Sequence, residues 1–125
     1  MRVLFCGLGG IGQRHLRNLR TLLGDDLDVH AYRVRRNRIK LQDNLTVEAG
    51  ADLETDYRIT VHDQLDKALA VKPHVVFICN PSSMHTDIAL AAAKAGCHLF
   101  VEKPVASSLE RLAELRSLVG GKGLV

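Results

Sequence analysis

Glycines at positions 7, 9 and 12 carry the G-x-G-x-x-G spacing, directly after the short apolar run Arg2 to Cys6. That spacing suits a phosphate ligand. Gly7 permits a tight turn, Gly9 lets a pyrophosphate approach the backbone, and Gly12 lets the following helix pack closely on the strand. Gly10 and Ile11 lie between them. Their amides open the helix, where free N–H groups and the helix dipole favour negative charge. Further along stand a basic run, RVRRNRIK, with Arg33, Arg35, Arg36, Arg38 and Lys40, then Asn80-Pro81-Ser82-Ser83 with His85, then Glu102-Lys103-Pro104.

In a dinucleotide-binding unit an acid about 20 residues after the glycines holds the adenosine ribose. Tyr32 and Arg33 stand there in this chain, and no carboxylate falls between Tyr32 and Gln42. Arg33 and Arg36 could instead pair with a 2′-phosphate, which favours NADP over NAD, with NAD still possible. A solvated basic loop is the alternative. Basic runs also bind nucleic acid, but Tyr32 is the only aromatic nearby and no recognition helix is visible, so no nucleic-acid partner is expected.

Lys103 is the candidate catalytic residue. Pro104 restricts it to extended conformations, and a positioned ammonium could hydrogen-bond a substrate hydroxyl or carbonyl oxygen as hydride moves. Glu102 could orient Lys103 or be a surface acid, and Lys103 could be merely an exposed lysine. Ser82 and Ser83 could cap a helix or bond phosphate or ribose. His85, in the first turn of that helix, could face the cofactor. His15, His30, His62, His74 and His98 lack ligand spacing and receive no function. Cys6, Cys79 and Cys97 show neither a C-x-x-C motif nor a nearby histidine pattern, so they read as reduced, buried thiols rather than disulfides or a metal site.

The elements that must position these residues alternate. Strands are expected at Arg2 to Cys6, Leu27 to Tyr32, Arg58 to Val61, His74 to Cys79 and His98 to Val101. Helices are expected from inside the glycine motif, with Ile11, Leu16, Leu19 and Leu23 as its apolar positions and a stop at Gly24-Asp25-Asp26, after a cap at Asp63, and from Met84 through Ala95, closed by Gly96. A last helix, capped by Ser107 or Ser108, carries Leu109, Leu112, Leu115 or Arg116, and Val119, and is broken at Gly120 to Gly123. Residues 41 to 57 are mixed, a loop with a helical turn. HVVFIC, at His74 to Cys79, reads as a strand covered on both faces. Alternating strands and helices imply right-handed crossovers and a doubly wound parallel sheet, an α/β Rossmann fold. In the order 3-2-1-4-5-6, the strand ends gather Gly7 to Gly12, Tyr32 and Arg33, Asn80 to Ser83, and Glu102 to Pro104 into one site.

Leu124-Val125 reads as the start of a sixth strand, so residues 1–125 are expected to be the cofactor domain of a longer protein. Composition agrees with one globular domain: 46% hydrophobic, 25% charged and a net charge of +3, too small to imply nucleic acid by itself. No signal-type leader opens the chain and no apolar run approaches the roughly 20 residues that cross a bilayer, which gives a cytoplasmic expectation with no membrane partner.

VLFCGLGGIGQRH together with ICNPSSMHTDIALAAAKAGCHLFVEKP resembles the N-terminal domain of the Gfo/Idh/MocA oxidoreductases. The resemblance covers nearly the whole chain. It implies an NAD(P)-dependent enzyme that moves hydride between nicotinamide C4 and a carbon of a sugar, cyclitol or related polyol. It further implies that Lys103 contacts the reacting oxygen, that Glu102 lies near the nicotinamide ribose, that Asn80 to His85 line the cofactor, and that the Lys103-Pro104 peptide is cis. The family's second domain, which supplies most of the substrate pocket, the acid/base histidine and much of the oligomer interface, is not among these residues. The 125 residues alone are therefore expected to bind cofactor weakly and to lack turnover. A non-catalytic dinucleotide sensor of the same fold is the competing reading.

Overall fold

A computed structural model of the chain describes residues 1–34 and 38–125. Arg35, Arg36 and Asn37 lie outside the described residues, and with them the expectation for Arg36 as a phosphate partner. Five parallel strands form the central sheet: β1 (Arg2–Cys6), β2 (Asp28–Tyr32), β5 (Ile59–His62), β6 (Val75–Ile78) and β7 (His98–Val101), in the order β5-β2-β1-β6-β7. This is the expected doubly wound arrangement. β1 and β6 are adjacent at its centre, so their carboxyl ends flank the switch point, where such sheets bind ligands.

Both faces of the sheet are covered. One face packs Val3, Phe5, Val29, Ala31 and Phe77 against Leu16 of α1 (Gly10–Leu23) and Leu53 of α2 (Leu53–Asp56). The other packs Leu4, Val76 and Ile78 against Ala68 of α3 (Leu65–Ala70), Ile88, Ala89, Leu90, Ala92 and Ala93 of α4 (His85–Lys94), and Leu115 of α5 (Leu112–Lys122). Phe5, Phe77 and Phe100 occupy matching positions on β1, β6 and β7 and stack with centroids 4.8 and 5.0 Å apart. Such cross-strand aromatic pairs fix register as well as adding contact.

Several boundaries differ from the sequence reading. Residues 41 to 57 fall in an antiparallel hairpin, β3 (Ile39–Leu41) and β4 (Val47–Asp52), followed by the short α2. Two- and three-residue alternation inside a charged stretch hid it. Asp63 caps nothing: α3 starts after Gln64 without a side-chain cap. Ser82 and Ser83 belong to a 3-10 turn, Ser82–Met84, that leads into α4 with no side-chain cap at either start. Gly96 does close α4, with φ of +82° and its N–H on the Ala93 carbonyl. α5 begins three residues past Leu109, which is exposed, and the Ser108 hydroxyl bonds the Glu110 N–H instead of capping the helix. The helix also runs through Gly120 and Gly121, stopping at the left-handed Gly123. Leu124-Val125 is not a strand, although the Val125 carbonyl accepts the Leu99 N–H at 2.8 Å on the outer edge of β7.

At the other edge, His30 of β2 and His62 of β5 share a hydrogen bond of 2.9 Å, and His30 also reaches Asp28 at 3.2 Å. Burial, and then the neighbouring His30, holds the His62 imidazole below its ordinary value, opposed by Asp63. A lowered histidine favours the neutral ring in the fold, so its contribution is present above about pH 6.5 and is lost as pH falls through the folded value. Urea denaturation should show stability falling from about pH 7 toward pH 5.5, a range above that in which the lowered carboxyls of Asp28 and Glu102 act. His62→Gln should flatten that slope, and an unchanged slope would contradict the assignment.

A second expectation concerns the contact between α1 and the sheet. A Cβ on Gly12 would be driven into the Gly7 carbonyl oxygen. Gly12→Ala should cost about 1–3 kcal/mol in chemical denaturation, whereas Gly120→Ala, where a Cβ meets nothing within 4 Å, should not destabilise.

Candidate functional site

The glycine turn is built by two close approaches of main chain. Gly7 has φ of +102°, and a Cβ there would lie 2.7 Å from the Asn80 nitrogen, so the turn after β1 and the segment after β6 touch backbone to backbone. Gly12 sits on the Gly7 carbonyl. Gly9, by contrast, faces open space, with nothing within 4 Å of where its Cβ would be. α1 begins at Gly10 with no side-chain cap and no acid in its first turn, and its first main-chain bond runs from Gln13 to Gly9. The amides of Gly10, Ile11 and Gly12 are thus left without helical carbonyl partners, as the first N–H groups of any helix are.

Besides a cavity of about 300 Å³ between Leu8, Gly9, Gln13, Arg33 and the hairpin, two cavities open on this turn. The larger, about 480 Å³, is lined by Cys6, Gly7, Gly9, Tyr32, Arg33, Asn80 and Pro81 among others. The second, about 330 Å³, is lined by Ile11, Ser82, His85, Glu102, Lys103 and Pro104, and shares Cys79 and Asn80 with the first. Of the residues singled out in the sequence, Gly7, Gly9, Ile11, Tyr32, Arg33, Asn80, Pro81, Ser82, His85, Glu102 and Lys103 therefore line these cavities at the carboxyl ends of β1, β2, β6 and β7, whereas Arg38, Lys40 and Ser83 line neither. Gly10 differs from its neighbours: Leu45, at the hairpin turn, lies 3.1 Å from where its Cβ would be.

The residues present fit a dinucleotide. Gly9 leaves the room that a pyrophosphate needs, helix amides face it, and the buried Asn80 Oδ1 has no hydrogen-bond partner among the described residues. No three His, Cys, Asp or Glu side chains among the described residues gather as a metal would require. No described helix is long and apolar enough to cross a membrane.

The basic run is not a bare cationic surface. Arg33 is buried, and its guanidinium pairs with Glu54 of α2 at 2.9 Å. Arg38 pairs with Asp52 and Glu54, and Lys40 with Glu48 and Asp56. The hairpin that the sequence concealed thus carries its own counter-charges. Gln13 fastens it to the glycine turn, its amide donating to the Leu8 and Ile39 carbonyls and accepting the Leu41 N–H at 2.7 Å.

On the other side, the Lys103-Pro104 peptide is cis, as expected. His85 is 1% exposed, and both its ring nitrogens meet carbonyls, Asn80 at 2.7 Å and Pro104 at 3.0 Å. It lines the smaller cavity yet spends its nitrogens on backbone, tying the segment after β6 to the segment after β7. Glu102 accepts from His15 Nε2 at 2.6 Å and from the Lys103 N–H at 3.1 Å, and the His15 bond is the main reason its carboxyl lies below the usual range. Burial, reinforced by Glu102, pushes the Cys79 thiol up to about 12, and burial does the same to Cys6, so both stay protonated. All three cysteines are free and buried. Glu54, Gln13 and His15 escaped the sequence reading. For His15 a signal existed: it stands one turn after Gly12, on the helix face that looks back at the strand ends.

Comparison with known proteins agrees. The family model described as "Oxidoreductase family, NAD-binding Rossmann fold" matches residues 1–125. The oxidoreductase YrbE of Bacillus subtilis is 31% identical over 120 residues, covering 94% of this chain and 32% of that protein. The myo-inositol 2-dehydrogenase of Thermotoga maritima is 30% identical over 111 residues, 87% of this chain and 30% of that protein. Among solved structures, the WlbA dehydrogenase of Chromobacterium violaceum, in complex with NADH and UDP-GlcNAcA, superposes with a TM-score of 0.79 at 21% identity, over 99% of this chain and 33% of that one. The chain spans about a third of the length of these relatives. With the glycine turn, the sheet order and the full-length family match in hand, the chain belongs to the Gfo/Idh/MocA oxidoreductases, as their NAD-binding Rossmann domain.

Proposed function

We propose that these residues form the cofactor half of an NAD(P)-dependent oxidoreductase that transfers hydride between a nicotinamide and a CH–OH carbon of a sugar, cyclitol or related polyol. The observation that carries the reading is the pair of adjoining cavities, one facing Gly9 and one holding Lys103, joined at Asn80. The dinucleotide supplies the hydride acceptor or donor when bound. The chain's own residues do the rest. Amides of Gly10, Ile11 and Gly12 hold the pyrophosphate, while Gly7 and Gly9 give it room. Tyr32 and Arg33 line the adenosine end, with Arg36 in the same segment, and Asn80, Pro81, Ser82, His85 and Glu102 line the nicotinamide end. The Lys103 ammonium hydrogen-bonds the reacting oxygen and stabilises the charge that develops there.

The substrate pocket, the acid/base group and any homo-oligomer contact belong, in this reading, to a second domain outside residues 1–125. The relatives' greater length and the names they carry, inositol dehydrogenase among them, support it. A cytoplasmic setting fits three free, buried thiols. In the full-length protein Lys103→Ala should lower kcat for polyol oxidation at least about 100-fold, with dinucleotide affinity changed less than threefold. Steady-state kinetics and fluorescence titration check this, and an active Lys103→Ala enzyme would remove the lysine from the chemistry.

We further propose NADP as the preferred cofactor, on the lack of a carboxylate from Tyr32 to Gln42 and on Arg33 in the wall of the larger cavity. A second reading, NAD, is favoured by the Arg33–Glu54 pair, which sets a carboxylate beside the ribose position. Calorimetry with both reduced cofactors separates the two. A phosphate contact with Arg33 should give roughly 10- to 100-fold tighter NADPH binding, abolished by Arg33→Gln, whereas equal or tighter NADH binding selects the second reading.

A further inference from the structure

His15 is the one titratable side chain of α1 that reaches the lysine segment, and no part of the proposed chemistry uses it. It is four-fifths covered, lying edge-on to Phe100 with ring centroids 4.8 Å apart, at the open end of the phenylalanine stack. That packing leaves its Nε2 directed at Glu102 Oε1, 2.6 Å away. The other carboxyl oxygen of Glu102 accepts the main-chain N–H of Lys103 at 3.1 Å. A carboxylate bridging two donors in this way has one orientation, and the amide it holds is the one from which the lysine side chain departs. The other side of the segment is fixed by His85 on the Pro104 carbonyl. Lys103 therefore stands between two histidine anchors, one from α1 and one from α4.

We propose that His15 is a positioning residue for Lys103, acting through Glu102. The proposal rests on the reading that the Lys103 ammonium touches the reacting oxygen. α1 is also the helix whose first amides face the pyrophosphate position, and Gly12, three residues before His15, seats it on the glycine turn. One rigid helix thus holds the cofactor's phosphates at its start and the lysine's orientation one turn later. α1 thus links the phosphate position to the lysine's orientation, with His85 of α4 as the second anchor of the lysine segment. Reach of this kind matters because misplacing a catalytic group by about 1 Å can cost two orders of magnitude in rate.

The test uses the full-length enzyme, with kcat, KM for substrate and NAD(P)H dissociation constant measured for each variant. His15→Phe keeps an aromatic against Phe100 but removes the donor, while His15→Gln restores an N–H at nearly the same reach. His15→Asn, too short to span the gap, replaces His15→Phe should that variant fail to fold. The proposal expects His15→Phe to lose about 10- to 100-fold in kcat, the worth of a charge-assisted hydrogen bond, with cofactor affinity within threefold, and His15→Gln to recover most of the loss. Wild-type kcat in His15→Phe or His15→Asn overturns it. So does an equal loss in His15→Gln accompanied by weakened cofactor binding, since that pattern marks a residue that only packs the helix. Lys103→Ala, run alongside, separates the two levels: an active Lys103→Ala enzyme fails the underlying reading, whereas an inactive one beside an unaffected His15→Phe fails this inference alone.

Discussion

Everything in this domain is hung on the contact of main chain with main chain where β1 ends. The Gly7 turn abuts Asn80, and Gly12 of α1 seats on the Gly7 carbonyl, so three segments meet at distances that no side chain permits. The consequence is geometric. α1 is locked in register against the central pair of strands, and its free amides are aimed at the space in front of Gly9. Packing then holds the arrangement, since Val3, Phe5 and Phe77 on the sheet bury Leu16 of the same helix. A fold tolerant of methyl-sized changes elsewhere has no slack at this point.

From this junction the side that carries Lys103 follows by short links. β6 leaves the junction as Cys79-Asn80, His85 takes the Asn80 carbonyl, and its second nitrogen takes the Pro104 carbonyl after β7. Glu102 closes the circuit back to α1 through His15. The low-lying carboxyl of Glu102 and the raised thiol of Cys79 are two faces of one electrostatic arrangement: the His15 bond lowers the first, and Glu102 adds to the burial that raises the second. The thiols at this end of the sheet are thus held protonated, and Lys103, which lines the smaller cavity, is the side chain to which the proposed reading gives the chemistry.

How far this could be read from residues alone depended on where the signal lay. The glycine spacing, the five parallel strands, and the gathering of Asn80 to Ser83 with Glu102 to Pro104 are local or periodic features, and a buried run such as HVVFIC announces itself. The hairpin did not, because β3 has three residues, is not buried, and sits among charges whose partners lie up to sixteen residues away. Helix starts were misplaced for a related reason. Asp63 and Ser107 or Ser108 are good capping residues by type, but α3 and α5 begin where packing of Ala68 and Leu115 requires, with no side-chain cap used, whereas α4 starts within one residue of the expected Met84. Gln13 and Glu54 were invisible, and His15 was signalled only by its place one turn after Gly12, because each acts through a partner 21 to 87 residues away in sequence.

The adenosine side turns on a competition that only the fold reveals. Read as a string, the segment after β2 is strongly cationic. Folded, every described cation in it meets a carboxylate from the hairpin or α2. Of these pairs Arg33 with Glu54 is the most enclosed, its side chains 5% and 11% exposed, whereas Arg38 is 59% exposed. Removing one partner of an enclosed pair strands the other charge and costs more than an exposed pair ever contributes. A 2′-phosphate must therefore add itself to the Arg33–Glu54 pair rather than displace Glu54, and it would do so against that carboxylate's repulsion. A ribose with a free 2′-hydroxyl carries no such charge, and Glu54 is an acceptor of the kind that the strand itself lacks. In the proposed reading, cofactor choice thus turns on Arg33 together with Glu54, which lies three elements beyond β2, in α2.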